Sequence, residues 1–272
     1  MRAMIAGGIT ALVFLPLQIS MAADKELRCP SLEFCYCVNP DFDAEIRLSV
    51  DQLRTALDDA RKAGKLTAYI SIPISGRGGG YSVLNLSTAG HVKEQLEERF
   101  GRNLFFALSP SQAHLNDLIV SGATVHATGS DYMYMWTQVL AGESGKGERL
   151  DMVYFVGPGD FARELHLTGH NDLETIQNYL NQHSAEPAFR REVGDRGLRK
   201  EFLAYYGFRG DVSMSYGSHE EWNIFRAINV RRRADPNYGF ARQLAVFFDG
   251  RAVDPASMEL GAAPGNAVSS CD

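Results

Sequence analysis

Residues 66–81 have the sequence LTAYISIPISGRGGGY, and this stretch decides the fold. Its first part, Leu66–Ile74, is rich in β-branched and aromatic side chains, which predicts a strand. The run is apolar almost throughout, as strands buried on both faces of a parallel sheet are. The glycines of Ser75–Tyr81 predict a turn. A helical pattern follows, so the stretch predicts a strand, a glycine-rich turn and a helix in an α/β protein.

The same alternation continues along the rest of the chain. Further β-rich runs predict strands at 104–108, 151–156 and 244–248. Helical spacing of apolar residues predicts helices at 49–64, 82–100, 130–141 and 216–233. Because strands alternate with helices, we predict an open parallel sheet with helices on both faces, as in flavodoxin-like or Rossmann-like folds.

The predicted α/β domain spans residues 66–254. It carries a helical insertion at about 160–209, where three helical segments follow one another without an intervening strand. A lead-in and one helix precede the domain at 23–65, and an Ala/Gly/Ser-rich tail follows it at 255–272.

Composition and charge exclude several classes of protein. The chain has 272 residues, of which 45% are hydrophobic and 22% charged, and this is typical of a globular protein rather than a disordered one. The formal net charge is −6 and the longest basic run is Arg231–Arg233, so we expect no nucleic-acid partner. No HExxH or CxxC pattern occurs, and the turn at 75–81 lacks both a phosphate-loop and a dinucleotide-binding pattern. We therefore expect no metal and no cofactor.

The first residues have the pattern of an export signal. Arg2 precedes an apolar run at 3–19, and the small residues Ser20 and Ala22 follow it. This arrangement predicts a signal peptide at 1–22 that is cleaved after Ala22. We expect a protein that is periplasmic or secreted, in an oxidising compartment, and not attached to a membrane after cleavage.

Four cysteines fit that compartment. Cys29, Cys35 and Cys37 lie close together near the predicted cleavage site, and Cys271 is the penultimate residue. Four cysteines allow three pairings, among which sequence alone cannot choose. We expect one local disulfide and one that ties the C-terminal tail to the N-terminal segment. A zinc site is the weaker alternative.

Candidate binding residues follow the predicted strands, because ligands of such sheets bind beyond the carboxyl ends of the strands. Ser75, Gly76 and Tyr81 of the turn, and Asn85 on the next helix, are candidates for contact with a sugar or base. The alternative is a turn whose glycines serve only its geometry. Asp160, after the third strand, could bind the ligand or cap the following helix.

The sharpest motif is GSHEE at 217–221, which opens a predicted helix. Both glutamates could simply be first-turn acids that stabilise the helix. In the functional interpretation, one carboxylate faces the ligand and attacks an anomeric carbon to form a glycosyl ester.

Two stretches resemble the nucleoside 2-deoxyribosyltransferase-like superfamily over about residues 66–250. Tyr69–Gly76 is similar to the opening strand and turn of that superfamily, and GSHEE is similar to its Gly-Thr-x-x-Glu motif. The resemblance implies that Glu221 is the nucleophile and that Asp131 lines the base pocket. Ser215 takes the place of the motif's acid two residues before the glycine, and it can form a hydrogen bond.

These observations predict an exported enzyme that acts on an N-glycosidic bond of a nucleoside- or nucleotide-like substrate. Glu221 would attack the anomeric carbon, while Asp131 and Asp160 would orient the base or protonate its leaving nitrogen. The alternative is a non-catalytic exported module that binds a small ligand in the same crevice, or a protein partner through the insertion at 160–209.

Overall fold

The computed structural model describes residues 24–74, 77–120, 122–238, 242–258 and 267–271. The predicted signal peptide lies outside the described residues. The strands are β1 (Glu26–Arg28), β2 (Tyr36–Val38), β3 (Leu66–Ser71), β4 (Phe105–Leu108), β5 (Leu118–Val120), β6 (Ala123–Val125), β7 (Met152–Phe155), β8 (Ala245–Phe248) and β9 (Arg251–Val253). The helices are α1 (Asp43–Lys62), α2 (Ser82–Phe100), α3 (Gly129–Ala141), α4 (Pro158–Glu164), α5 (Asp172–His183), α6 (Pro187–Phe189), α7 (Arg199–Ala204) and α8 (Tyr216–Ala234).

The central sheet has five strands in the order β4-β3-β7-β8-β9. The first four are parallel, and β9 is an antiparallel edge strand that pairs with β8. The predicted α/β fold with a mostly parallel sheet is thus confirmed. From β3 the chain passes first to β4 on one side and later to β7 on the other. Such a reversal opens a crevice at the carboxyl ends of the strands, which is where ligands of these folds bind.

The two faces of the sheet have separate cores. Alternate residues of β3 point to opposite faces, so Tyr69 belongs to one core and Ala68 and Ile70 belong to the other. Helices α1, α3 and α8 cover the face of Tyr69, together with the N-terminal segment. Helix α2 and the predicted insertion cover the opposite face. The insertion therefore forms a layer of the same domain.

An aromatic cluster holds the insertion against α2 and the sheet. Its rings contact one another edge to face or tilted, an arrangement that adds to the burial of their apolar surface. The members are Tyr81, Phe161, Phe189, Phe202, Tyr205 and Tyr206.

Two disulfides involve the N-terminal segment, and one of them joins it to the C-terminal tail. Cys29 pairs with Cys35, and Cys37 pairs with Cys271, which confirms one local bridge and one between the N-terminal segment and the tail. Both bridges are compatible with an oxidising compartment. Within the part of the chain that the structure describes, no helix is long and apolar enough to cross a bilayer.

The structure differs from the prediction at two hairpins, at the start of helix α1 and at the edge strand β9, which no pattern predicted. The lead-in contains a hairpin, β1–β2, and a second hairpin, β5–β6, lies between β4 and α3, in stretches for which no strand was predicted. Helix α1 begins at Asp43, six residues before the predicted start at Ser49. Strands of three residues are too short to show a period of two, and this explains why the hairpins were not predicted.

Arg232 joins the end of α8 to the loop before β7. Its guanidinium donates to the carbonyl oxygens of Lys146, Gly147, Leu150 and Arg242 at 2.6–2.9 Å, and the residue is buried. A fixed planar fork can satisfy this number of acceptors at once, whereas the ammonium of lysine cannot.

We expect Arg232→Lys to lower the free energy of unfolding by about 2 kcal/mol, because it leaves buried carbonyls without donors. Urea denaturation followed by circular dichroism measures the change. Arg233→Lys is the matched control, since Arg233 is the exposed neighbour. Equal stability of the two variants would contradict the assignment.

Candidate functional site

A cavity of about 550 Å³ opens at the carboxyl end of β3, between the loop after β4, helix α3 and the first turn of α8. Its size is in the range of small-molecule sites. The wall is mostly apolar and aromatic. The lining residues are Ile72, Ile74, Leu86, Pro110, Ser111, Ala113, His114, Gly129, Tyr132, Met133, Trp136, Ser215, Tyr216, Gly217, Ser218 and Glu221.

Glu221 is the carboxylate of this cavity. Its Oε1 accepts a hydrogen bond from the Tyr69 hydroxyl at 2.6 Å, and its Oε2 accepts one from the Ser71 hydroxyl at 2.5 Å. The residue is only 5% exposed. Tyr69 and Ser71 lie two apart on β3, so both point to the same face of the sheet. The central strand thus holds both carboxylate oxygens in place.

Helix α8 brings Glu221 to the cavity through its first turns. Ser215 is the N-cap, and its hydroxyl accepts the backbone N–H of Ser218. Ser218 and Glu221 are three residues apart, which places them on one side of the helix. Both line the cavity, and so does Ser215. Two residues of the motif at 217–221, Ser218 and Glu221, therefore line the cavity side by side.

Burial controls the protonation of Glu221. The pKa of this carboxyl is raised from 4.5 to about 7, mainly by the loss of water on burial and to a smaller extent by the charge of Glu220. The hydroxyls of Ser71 and Tyr69 oppose that shift, because they donate to the charged form. A carboxyl with a pKa near neutrality in a cleft is typical of functional sites.

Ser218 supplies a hydroxyl without a partner. Its Oγ is buried and forms no hydrogen bond within the described part of the chain, although the residue lines the cavity. Buried polar atoms are nearly always paired, so a free one in a cavity wall is available to a ligand. Ser218 is not among the site residues predicted from the sequence. Its spacing from Glu221 was the signal that could have found it.

His114 and Tyr132 also line the cavity and were not selected from the sequence. The Tyr132 hydroxyl lies 3.1 Å from Nδ1 of His114 and accepts the backbone N–H of Leu115. The phenol therefore orients the imidazole at the cavity wall. His114 comes from a stretch with no predicted strand or helix, and Tyr132 lies on the predicted helix 130–141, where a large aromatic side chain is typical of packing against a sheet. No local signal therefore marked either residue as a ligand contact.

Asp131 lies outside the cavity. One carboxylate oxygen accepts the backbone N–H of Asn39, and the other accepts the backbone N–H and hydroxyl of Thr128. The residue is fully buried and closes a capping box at the start of α3. The structure thus corrects the expectation that Asp131 lines the base pocket: its oxygens are used by the fold.

Tyr81 and Asn85 face the insertion instead of the cavity. The Tyr81 hydroxyl donates to Glu186, while the Asn85 amide donates to the carbonyl of Pro73 and accepts from Tyr206. Both side chains are buried in the aromatic layer, and neither lines the cavity. We expected these two side chains to contact a sugar or base, but their hydrogen bonds are made within the protein and hold the fold together. Ser75 and Gly76 lie outside the described residues.

The glycine-rich turn packs tightly against α7. Gly79 has φ of 94°, and a Cβ at this position would lie 2.3 Å from the backbone carbon of Glu201. Only glycine avoids both the strained conformation and this overlap. The alternative in which these glycines serve the geometry of the turn therefore fits their position.

Asp160 lies in the first turn of α4, away from the cavity. Its carboxylate accepts the backbone N–H of Gly157 at 3.0 Å and the Tyr154 hydroxyl at 2.9 Å. Burial raises its pKa. It lines a separate pocket of about 170 Å³ with Arg163, with which it forms an ion pair. Asp160 therefore caps helix α4, which was one of the two expectations, and it does not lie where it could contact a substrate in the cavity.

The described residues contain no group of three His, Cys, Asp or Glu side chains that could hold a metal ion. Comparisons with protein-family models, with curated proteins and with solved structures find no match to this chain.

Proposed function

We propose that the protein cleaves an N-glycosidic bond of a nucleoside- or nucleotide-like substrate in the cavity beside β3, with Glu221 as the nucleophile. The observation that carries this proposal is the Glu221 carboxylate, buried in the cavity wall and held by the hydroxyls of Tyr69 and Ser71. A sugar passes through an oxocarbenium-like state, which a fixed carboxylate can stabilise and then trap as an ester.

The rest of the cavity suits the two parts of such a substrate. Trp136 and Tyr132 supply aromatic surface for a planar base. Ser218 supplies a free hydroxyl for a sugar oxygen near Glu221. The volume of about 550 Å³ is sufficient for a nucleoside-sized ligand.

The reaction has two balanced halves. In the first, a Glu221 oxygen bonds to the anomeric carbon, the C–N bond breaks, and its electron pair leaves with the base, which takes a proton from His114. In the second, water attacks the anomeric carbon, the ester bond breaks, and the water's proton returns to His114. A second base in place of water would make the reaction a transfer instead of a hydrolysis. The nucleophile must be ionised and His114 must carry the proton that it donates, so the pH profile of turnover should be bell-shaped, with an acidic limb set by Glu221 near pH 7.

The same observations support the proposed relationship to the nucleoside 2-deoxyribosyltransferase-like superfamily. The strand at Tyr69, the parallel sheet and the helix that opens with GSHEE occur in the order that the resemblance implies. Export to the periplasm or the exterior belongs to the proposal as well, and the two disulfides support it.

A second candidate function is binding without catalysis. Glu221 is the only carboxylate among the described residues that line the cavity, and most of the wall is apolar. This composition favours a module that encloses a small aromatic ligand and uses Glu221 as a hydrogen-bonding group.

A substrate panel separates the two candidates. The purified protein is incubated with nucleosides, nucleoside 5′-monophosphates and NAD, with and without a second free base, and the products are separated by chromatography. We expect release of a free base from at least one member, with a rate that falls as the pH is lowered from 7 to 5. Binding in a calorimeter without release of base would favour the second function, and neither binding nor release would contradict both.

A further inference from the structure

A buried cluster lies behind Glu221, on the side of α8 away from the cavity. It is centred on Glu220, which is 2% exposed. The Oε1 atom of Glu220 accepts the backbone N–H of Ala267 at 2.6 Å. The hydroxyl of Tyr36, on β2, is hydrogen-bonded to Thr137 at 2.8 Å and lies near the same carboxylate, because burial and then the charge of Glu220 raise the pKa of this phenol. The N-terminal hairpin and the C-terminal tail thus meet at Glu220, the residue next to the proposed nucleophile.

The tail segment Ala267–Cys271 has two further attachments near this cluster. The backbone N–H of Val268 donates to the carbonyl of Cys35 at 2.8 Å, and Cys271 is bonded to Cys37. Since the other described residues of the tail are mostly exposed, these attachments and Glu220 determine where the segment lies. Of these attachments, the Cys37–Cys271 disulfide is the covalent link between the tail and the N-terminal segment.

Consecutive helix residues point in directions about 100° apart. Glu221 therefore faces the cavity and β3, while Glu220 faces the two terminal segments. The two carboxylates are nevertheless close enough for the charge of Glu220 to act on Glu221. Glu220 is buried where the tail and β2 meet α8, so little water surrounds its carboxylate.

We infer that Glu220 is a positioning residue for Glu221, and that the C-terminal tail, locked by the Cys37–Cys271 disulfide, holds it in place. We call the unit of Glu220, Tyr36 and Ala267–Cys271 the tail clamp. The clamp supplies a fixed negative charge behind the carboxylate that lines the cavity. This inference rests on the proposed role of Glu221 and adds to it the residues that position its carboxylate. It also assigns a function to the Cys37–Cys271 disulfide.

Among the described residues, few titratable groups face Glu221. They are Tyr69 on β3, Tyr36 on β2 and Glu220 on α8 itself, together with His114, Tyr132 and Tyr216 across the cavity. Glu220 is the acidic member of this set. Removing its charge should therefore make Glu221 easier to ionise.

The test measures Glu221 directly by carbon-13 NMR titration of its side-chain carboxyl, in the full-length protein. In wild type we expect a midpoint near pH 7. Glu220→Gln keeps the shape of the side chain and should lower the midpoint by about one pH unit, the size expected for two close charges in a medium between protein and water.

Opening the clamp should act in the same direction. The double variant Cys37→Ser with Cys271→Ser frees the tail, lets water screen Glu220, and should also lower the midpoint. Adding Glu220→Gln to this double variant should then lower it no further than Glu220→Gln alone, because both changes act through one charge. Circular dichroism checks that each variant is folded.

The matched control opens the other bridge. Cys29→Ser with Cys35→Ser keeps the carbonyl that holds Val268 and should leave the midpoint unchanged. An unchanged midpoint in both Glu220→Gln and the Cys37/Cys271 variant, or an equal shift in the control, would overturn the inference. If the midpoint responds but no substrate in the panel turns over, the clamp stands and the proposed reaction fails. Where turnover occurs, the acidic limb of its pH profile should move with the midpoint.

Discussion

Glu221→Gln is expected to lower kcat by at least ~10³-fold on any substrate that the wild type cleaves, because an amide oxygen does not form the glycosyl ester. Glutamine has nearly the shape of glutamate, and the hydroxyls of Tyr69 and Ser71 can each donate to it or accept from it. The cavity should therefore keep its form, and KM should change much less than kcat. Single-turnover assays of base release measure the effect.

Two comparisons make this result specific. Glu164→Gln is the control, because Glu164 is hydrogen-bonded to Ser87 at the separate small pocket and should retain turnover. Glu221→Ala should be rescued by azide, a small anion that can enter the space left by the carboxylate and form a glycosyl azide as the base leaves. Equal turnover by wild type and Glu221→Gln would remove Glu221 from the reaction.

The sequence predicted the fold because its strongest patterns are also its physical determinants. The apolar runs at β3 and β7 are buried on both faces, and burial of this kind requires helices on each side. Helix α2 was predicted with the observed bounds, since Gly101 ends it. The β1–β2 hairpin is joined to its surroundings by the two disulfides and by contacts with α3, which no local pattern records.

The candidate site was predicted in part, for a similar reason. Glu221 stands in a short motif at a helix start, and the sheet topology brings that helix to the carboxyl end of β3. Asp131 and Asp160 were selected by position in sequence, but each is near a backbone N–H that needs an acceptor. Whether such a carboxylate caps a helix or binds a ligand depends on residues that are distant in sequence and close in space. For Asp131, that residue is Asn39, whose backbone N–H donates to the carboxylate. His114 joins the site only through tertiary packing.

A further consequence concerns stability, and it holds whether or not the protein is an enzyme. The pKa of Glu221 is about 7 in the folded protein and near 4.5 in an unfolded chain, and burial is the main cause of the difference. Between these two values the folded state binds more protons than the unfolded state, so stability is complete below pH 4.5 and falls as the pH rises to 7. The loss amounts to about 3 kcal/mol above pH 7, at 1.36 kcal/mol for each pKa unit.

Glu221→Gln removes this titration, and the variant should therefore be more stable than wild type at pH 8. The difference between the free energies of unfolding of variant and wild type should be about 3 kcal/mol larger at pH 8 than at pH 4. Urea denaturation of both proteins between pH 4 and pH 8 measures the difference in the free energy of unfolding. A difference that stays constant with pH would show that Glu221 ionises normally and would remove the physical basis of the site. A difference that grows as expected would mean that the fold keeps, at a cost in stability, an ionised carboxylate in an apolar cavity. Retention of such a destabilising charge is what a reacting group requires, because the desolvation that raises its energy also leaves it free to bond to an electron-poor carbon.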